Sequence, residues 1–164
     1  MTVKAGKPVI GLAGGIGSGK SAAAAILAKL GAAVIDSDQL NHEELNQPEV
    51  ADELRRWWGD RVLRSDGTVD RGAIREIVAA DPSQRERLER LVHPRIARRR
   101  KEYMERLQRD CGCRAIVWDS PLLYEADLAD QCDCVIFVDA NDEVRHERVC
   151  HERGWTREQL DALE

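Results

Sequence analysis

The chain has 164 residues, a net charge of −5, 43% apolar and 34% charged residues. That size and balance fit one globular domain with at most a small appended piece, and exclude a small disulfide scaffold or a disordered tail. The longest uncharged stretch, 8–19, is too short and Gly-rich to cross a bilayer, the N-terminus lacks the apolar run of a secretory signal, and the acidic balance gives no field that draws in nucleic acid, so neither membrane nor nucleic acid is an expected partner.

The run 8–13 (PVIGLA) is short, apolar and closed by glycines, the pattern of a buried parallel strand. Residues 14–21, Gly14-Gly15-Ile16-Gly17-Ser18-Gly19-Lys20-Ser21, fit G-x-x-x-x-G-K-[ST] in full. A loop that wraps phosphate must turn its backbone N–H groups inward, and side chains would obstruct that approach. The following helix adds its positive dipole end, Lys20 reaches β- and γ-phosphates, and Ser21 offers a hydroxyl to Mg²⁺. The spacing of Ala23, Ile26, Leu27 and Leu30 predicts a helix over 20–30, ended by Gly31.

Ala32-Ala33-Val34-Ile35 predicts a second buried strand, running into Asp36-Ser37-Asp38. These two acids follow a strand end, where ligands of parallel sheets collect. A carboxylate there suits phosphoryl transfer to an alcohol, because it accepts the hydroxyl proton or orients the oxygen; a turn or helix cap is the competing role. From 41 to 110 the pattern becomes charged amphipathic helix: 49–58, then a turn at Asp66-Gly67, then 71–80, then a helix over 83–109 capped by Ser83 and bent at His93-Pro94.

Strand character returns in Ala115-Ile116-Val117-Trp118-Asp119 and in 135–139, followed by a helix over 142–153. Strand–helix alternation with apolar strands predicts an α/β fold on a parallel sheet, with 41–110 inserted between the second and third strands. Asp119 resembles the acid that holds Mg²⁺ through water beside a phosphate loop; Asp139 is its competitor. No Asn-Lys-x-Asp element for reading guanine is present, which argues for adenine or unselective base binding.

Five cysteines (Cys111, Cys113, Cys132, Cys134 and Cys150), an odd number without a secretory signal, point to a reducing, cytoplasmic setting and free thiols. The two Cys-x-Cys pairs have too short a bite for the usual zinc spacing. Arg98-Arg99-Arg100-Lys101 spans every helix face and is expected to be solvated, one of Trp57 and Trp58 is expected in the core, and His42, His146 and His151 are expected on the surface.

In sum these residues resemble the dephospho-CoA kinase family over nearly the whole chain. The likeness is carried by Gly11 through Ser21, by Val34-Ile35-Asp36-Ser37-Asp38, by Asp66-Gly67-Thr68-Val69-Asp70-Arg71, by Leu88-Glu89 with Leu91-Val92-His93-Pro94, and by Pro121-Leu122-Leu123-Tyr124-Glu125. The resemblance implies a three-layer P-loop kinase fold, with a core from 1–40 and 111–143, a helical acceptor domain over 41–110 and the start of a lid over 144–164. It implies ATP-dependent phosphorylation of the ribose 3′-hydroxyl of dephospho-CoA. It makes Asp38 the base or acceptor-orienting group, puts Lys20 and Ser21 on ATP and Mg²⁺, turns His93, Pro121 and Leu122 toward the acceptor, and assigns Arg148 to the lid. Two departures stand out. The family spaces its two basic lid residues four apart, whereas Glu152 holds that position here and Arg153 follows. The chain also stops within what the family makes its lid helix, so a fifth strand and part of the adenine pocket are expected to be missing from this form. A kinase for nucleosides, nucleotides or shikimate-like acceptors, and a nucleotide-binding fragment without transfer activity, are the competing readings.

Overall fold

Alternating side chains send the strands' apolar residues to both faces of one sheet. In the computed structural model, which describes residues 6–161 except 122, 125, 126 and the side chains of Arg153 and Asp161, β1 (Val9–Ala13), β2 (Ala32–Asp36), β3 (Ala115–Asp119) and β4 (Cys134–Phe137) pair in the order β2-β3-β1-β4. Every pairing is parallel, with Leu12 and Asp36 both in register with Asp119. Val9, Ala13 and Trp118 pack on one face with Leu123, Leu128 and Met104. Leu12 and Val117 pack on the other with Ala24 and Leu27 of α1 (Lys20–Lys29). The result is helix, sheet, helix, with all strand C-terminal ends on one edge.

The fourth strand falls one residue early and ends before Asp139, and three of its four residues are exposed because it lies at the sheet's edge. The apolar spacing of α1 predicts its existence but not its buried face. Ala24 is buried, whereas Ile26 and Leu30 are 58% and 64% exposed. Small alanines are what allow this helix to lie close on the sheet.

The chain divides into two compact units, 1–37 with 104–164, and 38–103. In the second unit α2 (Ser37–Leu45) begins earlier than the sequence suggests, because Ser37 and Asp38 enter the helix itself. It is followed by α3 (Pro48–Trp58), a short 3₁₀ turn at Asp60–Val62, α4 (Arg71–Ala80) and most of α5 (Pro82–Arg109). The turn at Asp66-Gly67 forms, with the Asp66 carboxylate accepting from the Thr68 hydroxyl and backbone; these bonds hold its pKa below the usual carboxylate range. Asp81, not Ser83, caps α5: Pro82 takes the first helical position, so Asp81 is left to accept from the Ser83 N–H at 2.8 Å. The helix runs unbroken through Pro94, as the single helix expected over 83–109 requires; the ring costs one backbone hydrogen bond, and flanking turns and packing of Val92 and Ile96 keep the helix formed.

Val50, Leu54, Val62, Val69, Ile74 and Val92 form this unit's core. Trp57 and Trp58 are both half-buried against it, in an edge-to-face pair 5.6 Å apart, rather than one inside and one out. Each indole needs an acceptor, and the Trp57 and Trp58 N–H groups donate to Glu53 and Gln84. The basic run of α5 is also less solvated than its composition suggests. Arg99 donates to Glu43 and to the buried Glu44, which Arg95 also approaches, so a buried carboxylate is neutralised by two guanidiniums. Among the described residues no helix is long and apolar enough to cross a membrane.

Leu54 is fully buried in this small core. Leu54→Ala is expected to lower unfolding free energy by about 3 kcal/mol, read from urea unfolding.

Candidate active site

The loop from β1 to α1 is shaped by what surrounds it. A Cβ on Gly14 would lie 2.5 Å from the Val138 carbonyl oxygen and 2.8 Å from Ser18 Oγ. Gly17 has φ +76°, and a Cβ there would meet the Arg145 carbonyl at 2.8 Å and Val149 Cγ2 at 2.9 Å. Glycine is therefore required at both positions by contact, and at Gly17 by conformation as well. The Ser18 N–H donates to the Gly15 carbonyl, and the Ser18 hydroxyl oxygen is buried with no hydrogen bond among the described residues. Gly19 caps α1, which leaves the first-turn N–H groups without side-chain partners and facing the loop.

Two arginines of α6 (Asp142–Arg153) hold the loop from the other side. Arg148 Nη1 donates to the Gly17 and Ser18 carbonyls at 3.1 and 3.0 Å, and Arg145 Nε donates to the Ile16 carbonyl at 3.0 Å. The loop's carbonyls are thus drawn outward toward α6. Carbonyls turned outward leave the opposite side of the peptide planes, with their N–H groups, for an anion.

Lys20 Nζ forms an ion pair with Asp119 Oδ1. Asp119 ends β3 beside β1 and is 8% exposed, so the parallel register alone delivers it to the loop. Asp139, the alternative acid, is exposed and accepts a turn hydrogen bond from the Ala140 N–H. Ser21 lies exposed in the first turn of α1. Asp36 ends β2 in register with Asp119, and the Trp118 indole donates to Ser37 Oγ at 3.2 Å, fixing the start of α2. Asp38 is exposed in the first turn of α2. Pro121 is exposed just past the buried Ser120, and Leu122 lies outside the described residues. In the second unit, exposed His93 borders a cavity of about 290 Å³.

The thiols are spread through the first unit. Cys113 is buried and its Sγ donates to the Ala115 carbonyl, Cys132 is half-buried, and Cys111, Cys134 and Cys150 are exposed. Burial, with Cys134 and Asp133 adding to it, pushes the Cys132 thiol above its ordinary value. His42 and His151 are exposed and His146 is half-buried.

Residues 8–164 match the family model for dephospho-CoA kinase. The chain belongs to the dephospho-CoA kinase family. Its reaction is the ATP-dependent phosphorylation of dephospho-CoA to CoA. A dephospho-CoA kinase of Thermobifida fusca is 44% identical over 155 residues, which cover 93% of this chain and 76% of that enzyme. A Thermus thermophilus protein of known crystal structure is 32% identical with a TM-score of 0.79, covering 96% of this chain and 78% of that one. The dephospho-CoA kinase of Campylobacter jejuni shares the fold at 24% identity, with a TM-score of 0.66 and 95% and 77% of the two chains covered. The α/β fold expected for a P-loop kinase is therefore the fold observed.

In this family setting, one loop contact went unread in the sequence. Arg145 lies three residues before Arg148, on the same helical face, and the motif 14–21 says nothing about what packs behind it. The available signal was that i, i+3 pair of arginines on the helix that follows the fourth strand. The side chain of Arg153, which follows Glu152 where the family has its second basic lid residue, lies outside the described residues.

Gly14→Ala drives a methyl group against the Val138 carbonyl and is expected to weaken ATP binding at least about tenfold, measured by calorimetry, because overpacking there must move the loop.

Proposed function

We propose that this kinase transfers the γ-phosphoryl group of ATP to the ribose 3′-hydroxyl of dephospho-CoA, with residues 14–21 as the triphosphate cradle and Asp38 as the acceptor's base. The observation that carries this reading is the glycine loop with Lys20 and Asp119 paired beside it. Backbone N–H groups of 14–19 and the N-terminus of α1 receive the β- and γ-phosphates. Lys20 leaves Asp119 for those phosphates, where its charge follows the oxygens through transfer. Ser21 and the released Asp119 supply hard oxygen donors of the kind Mg²⁺ takes, Asp119 through water, and Mg²⁺ when bound neutralises charge on the phosphate oxygens.

Asp38 accepts the hydroxyl proton as the O3′–P bond forms and the bond to the ADP oxygen breaks, so ADP departs with the electron pair. Asp38 stands two residues past the end of β2, in a helix's first turn, where its side chain is exposed to an acceptor. Arg148 moves from the loop carbonyls toward the transferring group and offsets its charge, and closure of the segment 144–164 excludes the water that would otherwise take the phosphoryl group. The helical stretch 41–110 carries the acceptor, with His93 among the residues that bind it. Operation in the cytoplasm, where ATP is abundant and thiols stay reduced, agrees with the five cysteines.

A coupled ADP-release assay with dephospho-CoA against a nucleoside panel tests the acceptor: ADP is expected only with dephospho-CoA, and ADP formed only with nucleosides would refute the assignment. In the same assay Asp38→Ala is expected to lower kcat by about 10²–10⁴ with ATP affinity nearly intact, whereas Lys20→Ala weakens both. Unchanged turnover in Asp38→Ala removes that residue from the mechanism.

A further inference from the structure

Glu44 is 5% exposed, a carboxylate sunk in the last turn of α2. Its two oxygens face different guanidiniums. Arg99 Nη1 donates to Oε2 at 3.4 Å, and Arg95 Nη1 stands 3.7 Å from Oε1. The same arginines also reach outward, Arg99 Nη2 donating to Glu43 at 2.7 Å and Arg95 Nη1 to Glu49 at 3.2 Å. Arg95 and Arg99 lie about one turn apart on α5.

Stability does not call for an acid at this position. Taking a carboxylate out of water costs free energy, and a buried ion pair is often no more stabilising than apolar side chains of its size. Leu40 and Leu45 already bury α2, and a leucine at 44 would add to that without desolvating a charge. What the acid adds is register. Apolar surfaces slide over one another at small cost, whereas moving α2 along α5 by one turn would leave Glu44 buried with one guanidinium at most.

The register of α2 is felt at its other end. Asp38 stands in the first turn, about 9 Å before Glu44 along the helix axis. Asn41 of α2 and His93 of α5 border one cavity, and His93 comes just before Arg95 on α5. All of these residues fall within the second unit. The ion pairs that fix α2 on α5 therefore also fix where Asp38 stands relative to His93. Asp38 is exposed and Glu44 is buried, so the influence runs through the helix rather than by contact.

We infer that Glu44 is a positioning residue for phosphoryl transfer: through Arg95 and Arg99 it sets the register of α2 on α5 and so holds Asp38 at the acceptor. The inference rests on the reading of Asp38 as the acceptor's base. Glu44 itself touches neither substrate. A base displaced by about 1 Å aims the hydroxyl poorly, and errors of that size cost up to about 10²-fold in rate.

The test is a double-mutant cycle on kcat, run on the full chain at saturating ATP and dephospho-CoA. Glu44→Gln keeps the shape and removes the charge, while Arg95 and Arg99 retain Glu49 and Glu43 as partners. It is expected to lower kcat about tenfold with ATP affinity unchanged. Glu44→Leu is expected to match wild type in its urea midpoint and yet to be as slow, a split that a merely structural role would not give. With Asp38→Ala no base remains to be aimed, so adding Glu44→Gln should lower kcat by less than about twofold further. Arg99→Gln removes the same contact from α5 and should follow the same pattern, which decides the matter if a Glu44 variant does not fold. Wild-type kcat in Glu44→Gln, an equal loss in both backgrounds, or rates that track the urea midpoints would each overturn the inference. If Asp38→Ala is slow and Glu44→Gln is not, the inference alone falls. If Asp38→Ala turns over like wild type, or wild type itself does not turn over, the proposed mechanism falls and the inference with it.

Discussion

The rest of the site depends on a loop whose peptide groups have their carbonyls engaged from behind. Arg145 and Arg148 take the carbonyls of Ile16, Gly17 and Ser18, and the Val138 carbonyl and the backbone of Arg145 press against Gly14 and Gly17. A side chain at either glycine would push the loop off these supports. The need for glycine is thus set by α6 and the end of β4 as much as by any ligand. An anion-binding surface of main-chain N–H groups is rigid only when such neighbours hold it.

That surface lets an acidic protein take an acidic substrate. With a net charge of −5, the molecule as a whole repels a triphosphate, so attraction must be local. Lys20 is the local charge, and Asp119 keeps it partnered at a site where both side chains are mostly buried. A lone ammonium there would lose solvation without return. On the proposed reading the carboxylate is a placeholder that a phosphate replaces, an exchange that would free Asp119 for a divalent ion. The same logic holds for Glu44, whose buried charge is matched by Arg95 and Arg99.

Much of this was legible in the sequence because it is local. The strand at 9–13, the glycine motif, the helices at 71–80 and 142–153 and the acid at 119 all declare themselves within a few residues. What was hidden depends on contacts remote in the chain. Arg145 touches Ile16 across 129 residues, and no spacing rule reaches that far. Ile26 and Leu30 satisfy helical periodicity yet face outward, because periodicity identifies a helix before it identifies which side is covered. Asp81 displaced Ser83 as a cap through a one-residue competition that Pro82 decides. Arg99 was hidden in a basic run because composition does not reveal that Glu44 is buried opposite it.

The exchange of Lys20 from carboxylate to phosphate is the claim on which the mechanism turns, and Asp119→Asn addresses it most directly. ATP binding to wild type and variant is measured by calorimetry with and without Mg²⁺. Removing the carboxylate frees Lys20, so the variant should bind metal-free ATP several-fold more tightly than wild type while losing the further gain that Mg²⁺ brings. Weaker metal-free binding by the variant, or an undiminished response to Mg²⁺, would contradict the account.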